Sequence, residues 1–256
     1  MNFFHRIFGK GKSSVLPVRR SPFAQLEIRK SEWLDVFSAC LGKMYVVQYT
    51  VGETVIGDRD WTADFDRGII CFGKREYPVQ LIGTESAVSN TWMWGWSNAP
   101  GFDERALVLA DQSRRIGNEW ELPPLTAETF ELDETFNGHN LSIVTCGLSM
   151  ENWCYYRCEH DAGAAFIAFS GIPDSVFAPI SAEDFTDVAM RCIQQFELNH
   201  KIFVESLLLW NGNSYEWQDN NLCADFETTK LKIQVSDKWK QTIYQRNQAS
   251  PVISAI

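Results

Sequence analysis

Asp60-Trp61-Thr62-Ala63-Asp64-Phe65-Asp66-Arg67-Gly68-Ile69-Ile70-Cys71-Phe72 decides the fold class. Trp61, Ala63 and Phe65 alternate with polar residues. Asp66-Arg67-Gly68 then turns the chain, and Ile69 to Phe72 returns it. Alternation with a period of two marks a strand with one buried face, and Asp and Gly suit the turn between two such strands. Working outward, Tyr77 to Ser86 predicts a third strand. Asn90 to Asn98 predicts a fourth, with Trp92, Trp94 and Trp96 on one face and Met93 and Gly95 on the other. Residues 60–98 therefore read as an antiparallel β-meander.

Helical spacing flanks the meander. Trp33, Phe37 and Cys40/Leu41 predict a helix from about residue 23 into the low forties, while 44–51 fits either helix or strand. Helices are expected over 103–118 and, interrupted by Gly138 and Gly147, over 134–150. Residues 153–159 and 164–170 read as a hairpin. Ser181-Ala182-Glu183-Asp184 resembles a capping box and opens a helix with apolar positions from Phe185 to Phe196. A further helix over 200–211 stops at Asn211-Gly212, and strands are expected at 222–226, 231–235 and 239–244. The fold class is α+β, an antiparallel meander packed with several helices. The expected organisation is a leader and linker at 1–22, one domain at 23–246 and a frayed tail at 247–256.

The net charge of −10 is unevenly spread. Residues 1–30 carry seven basic side chains against the single acid Glu27, a balance of +6 that leaves −16 on the rest. An acidic body excludes general nucleic-acid binding, which selects clustered Lys and Arg. No apolar run is long enough for a secretory signal or a membrane span. Seven cysteines, an odd number, fit reduced thiols in a cytoplasm. Within the leader, Phe3, Phe4, Ile7 and Phe8 share one helical face beside Arg6. Such a segment suits weak contact with a membrane, a partner or the chain's own acidic body.

No motif carries chemistry convincingly. Gly11-Lys12-Ser13 copies the end of a phosphate-binding loop, but Arg6 stands where the first glycine belongs. Cys154, Cys158 and His160 have partial zinc spacing without a fourth ligand and fit two core thiols on a strand. Asp58, Asp60, Asp64 and Asp66 lack calcium-loop spacing and fit hairpin ends. Nothing implies a metal or a cofactor. The four histidines form no recognised catalytic pair, so the expectation leans away from an enzyme. Asn90, Trp92, Trp94, Trp96 and Asn98 are the candidate ligand site. Three indoles on one strand face either bury as core or, if that face is open, line a groove for a planar or sugar-like ligand.

Three pieces carry a resemblance: Asp60-Trp61 to Phe72, Val79-Gln80-Leu81-Ile82-Gly83-Thr84, and Asn90-Thr91-Trp92-x-Trp94-x-Trp96-x-Asn98. Together they resemble a family of bacterial proteins known only as a domain of unknown function. The resemblance implies a bacterial, cytoplasmic protein and carries over no catalytic residue. The expected function is a non-enzymatic binding or interaction protein, such as an immunity or contact-system component, whose acidic surface meets a basic partner. The alternative is a small-molecule binder or enzyme at the Trp92/Trp94/Trp96 face.

Overall fold

A computed structural model describes residues 22–97, 104–227, 229–234 and 252–255. The leader and Asn98 lie outside these residues. The protein is α+β. The first sheet has seven antiparallel strands: β1 (Trp61–Asp64), β2 (Ile69–Phe72), β3 (Arg75–Ser86), β4 (Thr91–Trp94), β5 (Thr129–Glu131), β6 (Cys154–His160) and β7 (Gly163–Phe169). The long strand β3 organises it. One edge of β3 pairs with β2 through residues 75–78 and with β4 through residues 83–86, while the other edge pairs with β7. The meander and the 154–169 hairpin stand where alternation puts them, except that the fourth strand, expected over 90–98, ends at Trp94.

Helix α1 (Trp33–Val51) is buried on nearly all sides, as a helix apolar all round should be. It packs against α3 (Gly138–Leu148) and α5 (His200–Asn211), and α3 lies on β3, β6 and β7. The helix expected from residue 23 instead begins at Trp33, after a single 3-10 turn at Pro22–Ala24. Asp35 accounts for the delay. Its buried carboxylate accepts bonds from the Arg29 backbone N–H and from the Arg29 guanidinium, folding 29–32 across the helix start. Burial alone raises the carboxyl pKa. The bonds from Arg29 and from Asn199, the N-cap of α5, outweigh it and hold the pKa below the usual carboxylate range. At the other end, residues 44–51 are helical. Gly147 does not interrupt α3; a Cβ there would lie 2.6 Å from Cys40 Cβ, so its bare backbone lets α3 press on α1.

Helix α2 (Val108–Trp120) packs on β3, and α4 (Ala182–Gln195) packs on α1. The Ser181 hydroxyl accepts from the Asp184 N–H at 3.1 Å and donates to its carboxylate, completing the cap read from sequence. A second sheet runs β11-β10-β9-β8, from β8 (Tyr215–Gln218), β9 (Asn221–Asp225), β10 (Lys230–Gln234) and β11 (Val252–Ala255). It reaches the helices through Phe226 on Phe185 and through the Trp217 indole N–H donated to Glu205. Residues 247–256, expected as a frayed tail, contain β11, paired with β10 along its length. The strand expected at 239–244 lies outside the described residues.

His200 opens α5 and is buried, which lowers its pKa to about 3. Its folded pKa lies below the ordinary value of about 6.5, so the folded state resists protonation that the unfolded state accepts. Stability is therefore full above about pH 6.5 and falls by up to about 1.4 kcal/mol per pH unit as pH drops toward the folded value. Urea titrations between pH 7 and pH 5 check this. His200→Gln is expected to reduce the slope across that window, leaving the part that His139 contributes; an unchanged slope would assign the dependence elsewhere.

Candidate functional site

Of the five sequence-predicted site residues, Asn90, Trp92, Trp94 and Trp96 are described. Trp92 and Trp94 are completely buried. Trp92 meets Trp94 and Phe166 edge to face at 5.4 and 5.7 Å. The Trp94 indole N–H donates to the Pro124 carbonyl at 3.1 Å. Trp96 is half-buried, stacked on Trp94 and covered by the Arg114 guanidinium, 4.1 Å from its ring centre. Helix α2, which carries Arg114, thus closes the face that an open groove would need. Asn90 occupies a left-handed turn position (φ 53°), and its amide donates to the Leu132 carbonyl. That is a structural role that asparagine suits. The first two indoles are core, and no ligand reaches them without unpacking α2 or the sheet.

A concavity lies beside β5, the strand that pairs with β4. The pairing places Phe130 opposite Trp92. The Thr129 hydroxyl donates to the Trp92 carbonyl and the Trp94 N–H donates to the Glu128 carbonyl. These bonds and the Trp94–Pro124 bond fix the segment 122–131. Against it stands the start of α1, where Trp33 meets Phe136 edge to face at 5.3 Å; Phe136 in turn meets Phe130. Between them runs a groove of about 450 Å³ whose walls are Trp33, Phe130, Phe136, Leu122, Pro123 and Ala127. Its lining is almost wholly apolar, with Ser31 and Glu131 as its polar members, and the exposed Arg29 and Lys30 precede Ser31 in the chain. Beside Glu131, the exposed Glu121, Glu128, Asp133 and Glu134 each lie within three residues of a wall along the chain. The sequence reading missed this site. Its available signals were the stiff Pro123-Pro124 pair and the interleaving of Phe130, Leu132 and Phe136 with carboxylates.

A second cleft, about 380 Å³, lies among the end of α1, β1, the start of α3 and β6. Trp61 and Tyr156 form an aromatic wall, with ring centres 5.3 Å apart. His139 Nδ1 is 3.3 Å from the Tyr155 hydroxyl. Partial burial lowers the His139 pKa and Arg157 adds to that effect, against the opposing pull of Glu85. The polar groups here are already engaged. The Gln48 carboxamide bonds both the N–H and the C=O of Tyr155, taking the place of a neighbouring strand on β6. Arg157 sits between Glu85 and Glu159, and Glu85 also accepts the Gly138 N–H at the head of α3. These groups serve one another, so the cleft offers a ligand less than the groove does.

Cys154 and Cys158 are buried on β6, where burial pushes both thiols up, Cys158 to about 12. His160 accepts the Ala162 N–H within the hairpin turn. Among the described residues, no group of three His, Cys, Asp or Glu side chains is placed to hold a metal, and no helix is long and apolar enough to cross a membrane.

A seven-stranded sheet packed with helices, with an apolar surface groove beside its edge strand β5, defines an α+β protein with a closed aromatic core. The chain belongs to a family of unknown function (DUF6882), which matches residues 34–172. The match spans α1 to β7, including the second cleft and most of the groove; α4, α5 and the second sheet follow it. No curated protein and no solved structure matches the chain.

Proposed function

We propose that this protein is a non-enzymatic binding module that holds an apolar, positively charged polypeptide segment in the Trp33–Phe130–Phe136 groove. The observation that carries the proposal is the combination of an apolar lining that includes Glu131 with four further exposed carboxylates close to the walls along the chain. Aromatic side chains in such a groove bury apolar anchors, and the carboxylates speed and orient the approach of a basic partner while repelling acidic ones. Masking of a basic partner protein, as an immunity-type component does, is one form of this chemistry. The same proposal assigns the protein to a reducing bacterial cytoplasm, supported by seven free cysteines and the motif resemblance.

Fluorescence anisotropy with two designed amphipathic peptides tests it. Both peptides have the same Phe and Leu positions, one with Lys and one with Glu between them. The Lys peptide is expected to bind and to weaken as salt rises. The double reversal Glu128→Lys/Glu131→Lys is expected to weaken it about tenfold, equivalent to about 1.4 kcal/mol. Equal binding of the Glu peptide would contradict the proposal.

A further inference from the structure

We propose that the groove takes the chain's own leader: residues Phe3–Phe8 dock in cis on the walls formed by Trp33, Phe130 and Phe136. The assignment presupposes that the groove is a binding site and names its occupant. Three observations carry it. First, the described chain enters beside the groove. The Phe23 ring lies 6.0 Å from Trp120, and Lys30 Nζ sits 5.0 Å over the same indole. Trp120 ends α2, two residues before the groove wall at Leu122. Second, reach is ample. Residues 9–21 lie between the leader and the first described residue, and such a stretch spans roughly 40 Å when extended. Third, the chemistries complement each other. The leader presents Phe3, Phe4, Ile7 and Phe8 to an aromatic groove. Residues 1–26 contain no acid and carry Arg6, Lys10, Lys12, Arg19 and Arg20, opposite in charge to the carboxylates near the walls.

Tethering raises the occupancy. A short flexible linker holds a segment at an effective concentration on the order of 1 mM. A leader with an intrinsic dissociation constant of about 0.1 mM would then fill the groove roughly nine-tenths of the time. The tethered segment competes with any outside partner, so the groove is released by a partner that binds more tightly or that engages the leader itself.

Two measurements on the full chain test this. A photoreactive benzoylphenylalanine at position 4 is expected to crosslink within one chain to the 122–136 segment or to Trp33. Crosslinks to other parts of the chain, or only between copies, would overturn the assignment. A labelled peptide of residues 2–12 is then titrated against the full chain and against a variant with Phe3→Ala, Phe4→Ala, Ile7→Ala and Phe8→Ala. These four positions lie outside the described core. The peptide is expected to bind the variant at least tenfold more tightly than the unaltered chain. Equal affinity for both proteins, or no binding to either, overturns docking in cis. The designed Lys and Glu peptides, titrated against the same variant, separate the two ideas. If the Lys peptide still binds there and the leader peptide does not, the groove stands and only its occupant is wrong.

Discussion

Trp92→Ala is expected to destabilise the fold by about 3–5 kcal/mol, the range for removing a large aromatic from a packed core. Trp92 is fully enclosed, and its ring meets Trp94 and Phe166 edge to face. Neither side of the cavity can collapse easily, because β4 is clamped between β3 and β5. The hydrogen-bond inventory sharpens the expectation. The Trp92 indole N–H is buried without a partner among the described residues, whereas the Trp94 N–H donates to Pro124. Phenylalanine at 92 relieves an unsatisfied donor, while phenylalanine at 94 leaves the Pro124 carbonyl without its partner. Trp92→Phe should therefore be the milder of the two, by about 1 kcal/mol. Urea unfolding of both variants measures the difference. A milder Trp94→Phe would show that the indole N–H at 92 has a partner after all.

Gly83→Ala is the second large effect. A Cβ at 83 would lie 2.3 Å from Trp92 Cζ2 and 2.6 Å from the Met93 carbonyl oxygen. One neighbour is a ring locked in the core and the other is backbone, so neither can yield at little cost. The expected destabilisation is about 3 kcal/mol, at the upper end for overpacking. Because Trp92 supplies the closest contact, Trp92→Phe should relieve part of the strain. The double variant is then expected to be more stable than the sum of the single effects, by at least about 1 kcal/mol. Strict additivity would place the strain at the Met93 carbonyl alone. Gly83 and Trp92 therefore form one packing unit across β3 and β4. The indole needs a neighbour with no side chain.

Local chemistry made much of the fold legible. Alternation wrote the meander around Asp66-Arg67-Gly68, and Ser181 with Asp184 wrote the start of α4. Misreadings arose where a distant contact decided a local matter. Asp35 captures Arg29 and postpones α1, and Gly147 is a point of helix contact that resembles a break in the sequence. The strand β5 is three residues long, too short for alternation to show, and β8 goes unread although Tyr215 and Trp217 alternate with Glu216 and Gln218. The Trp92/Trp94/Trp96 stretch is distinctive in the sequence, which leaves open whether its face is core or groove. Arg114 and α2 close that face. The groove itself could not be read because Trp33 comes from one end of the chain and Phe130 and Phe136 from nearly a hundred residues later. Only the packing of Trp33 on Phe136, and of Phe136 on Phe130, brings them together.

Ala127→Arg tests the central claim most directly. Ala127 lines the groove and takes no part in the buried core. An arginine there fills the groove with a charged side chain and removes no packing. In anisotropy titrations against the Lys-bearing amphipathic peptide, the variant is expected to lose at least tenfold in affinity while its unfolding midpoint stays unchanged. Unaltered affinity in a folded variant would show that the groove is not where this protein binds.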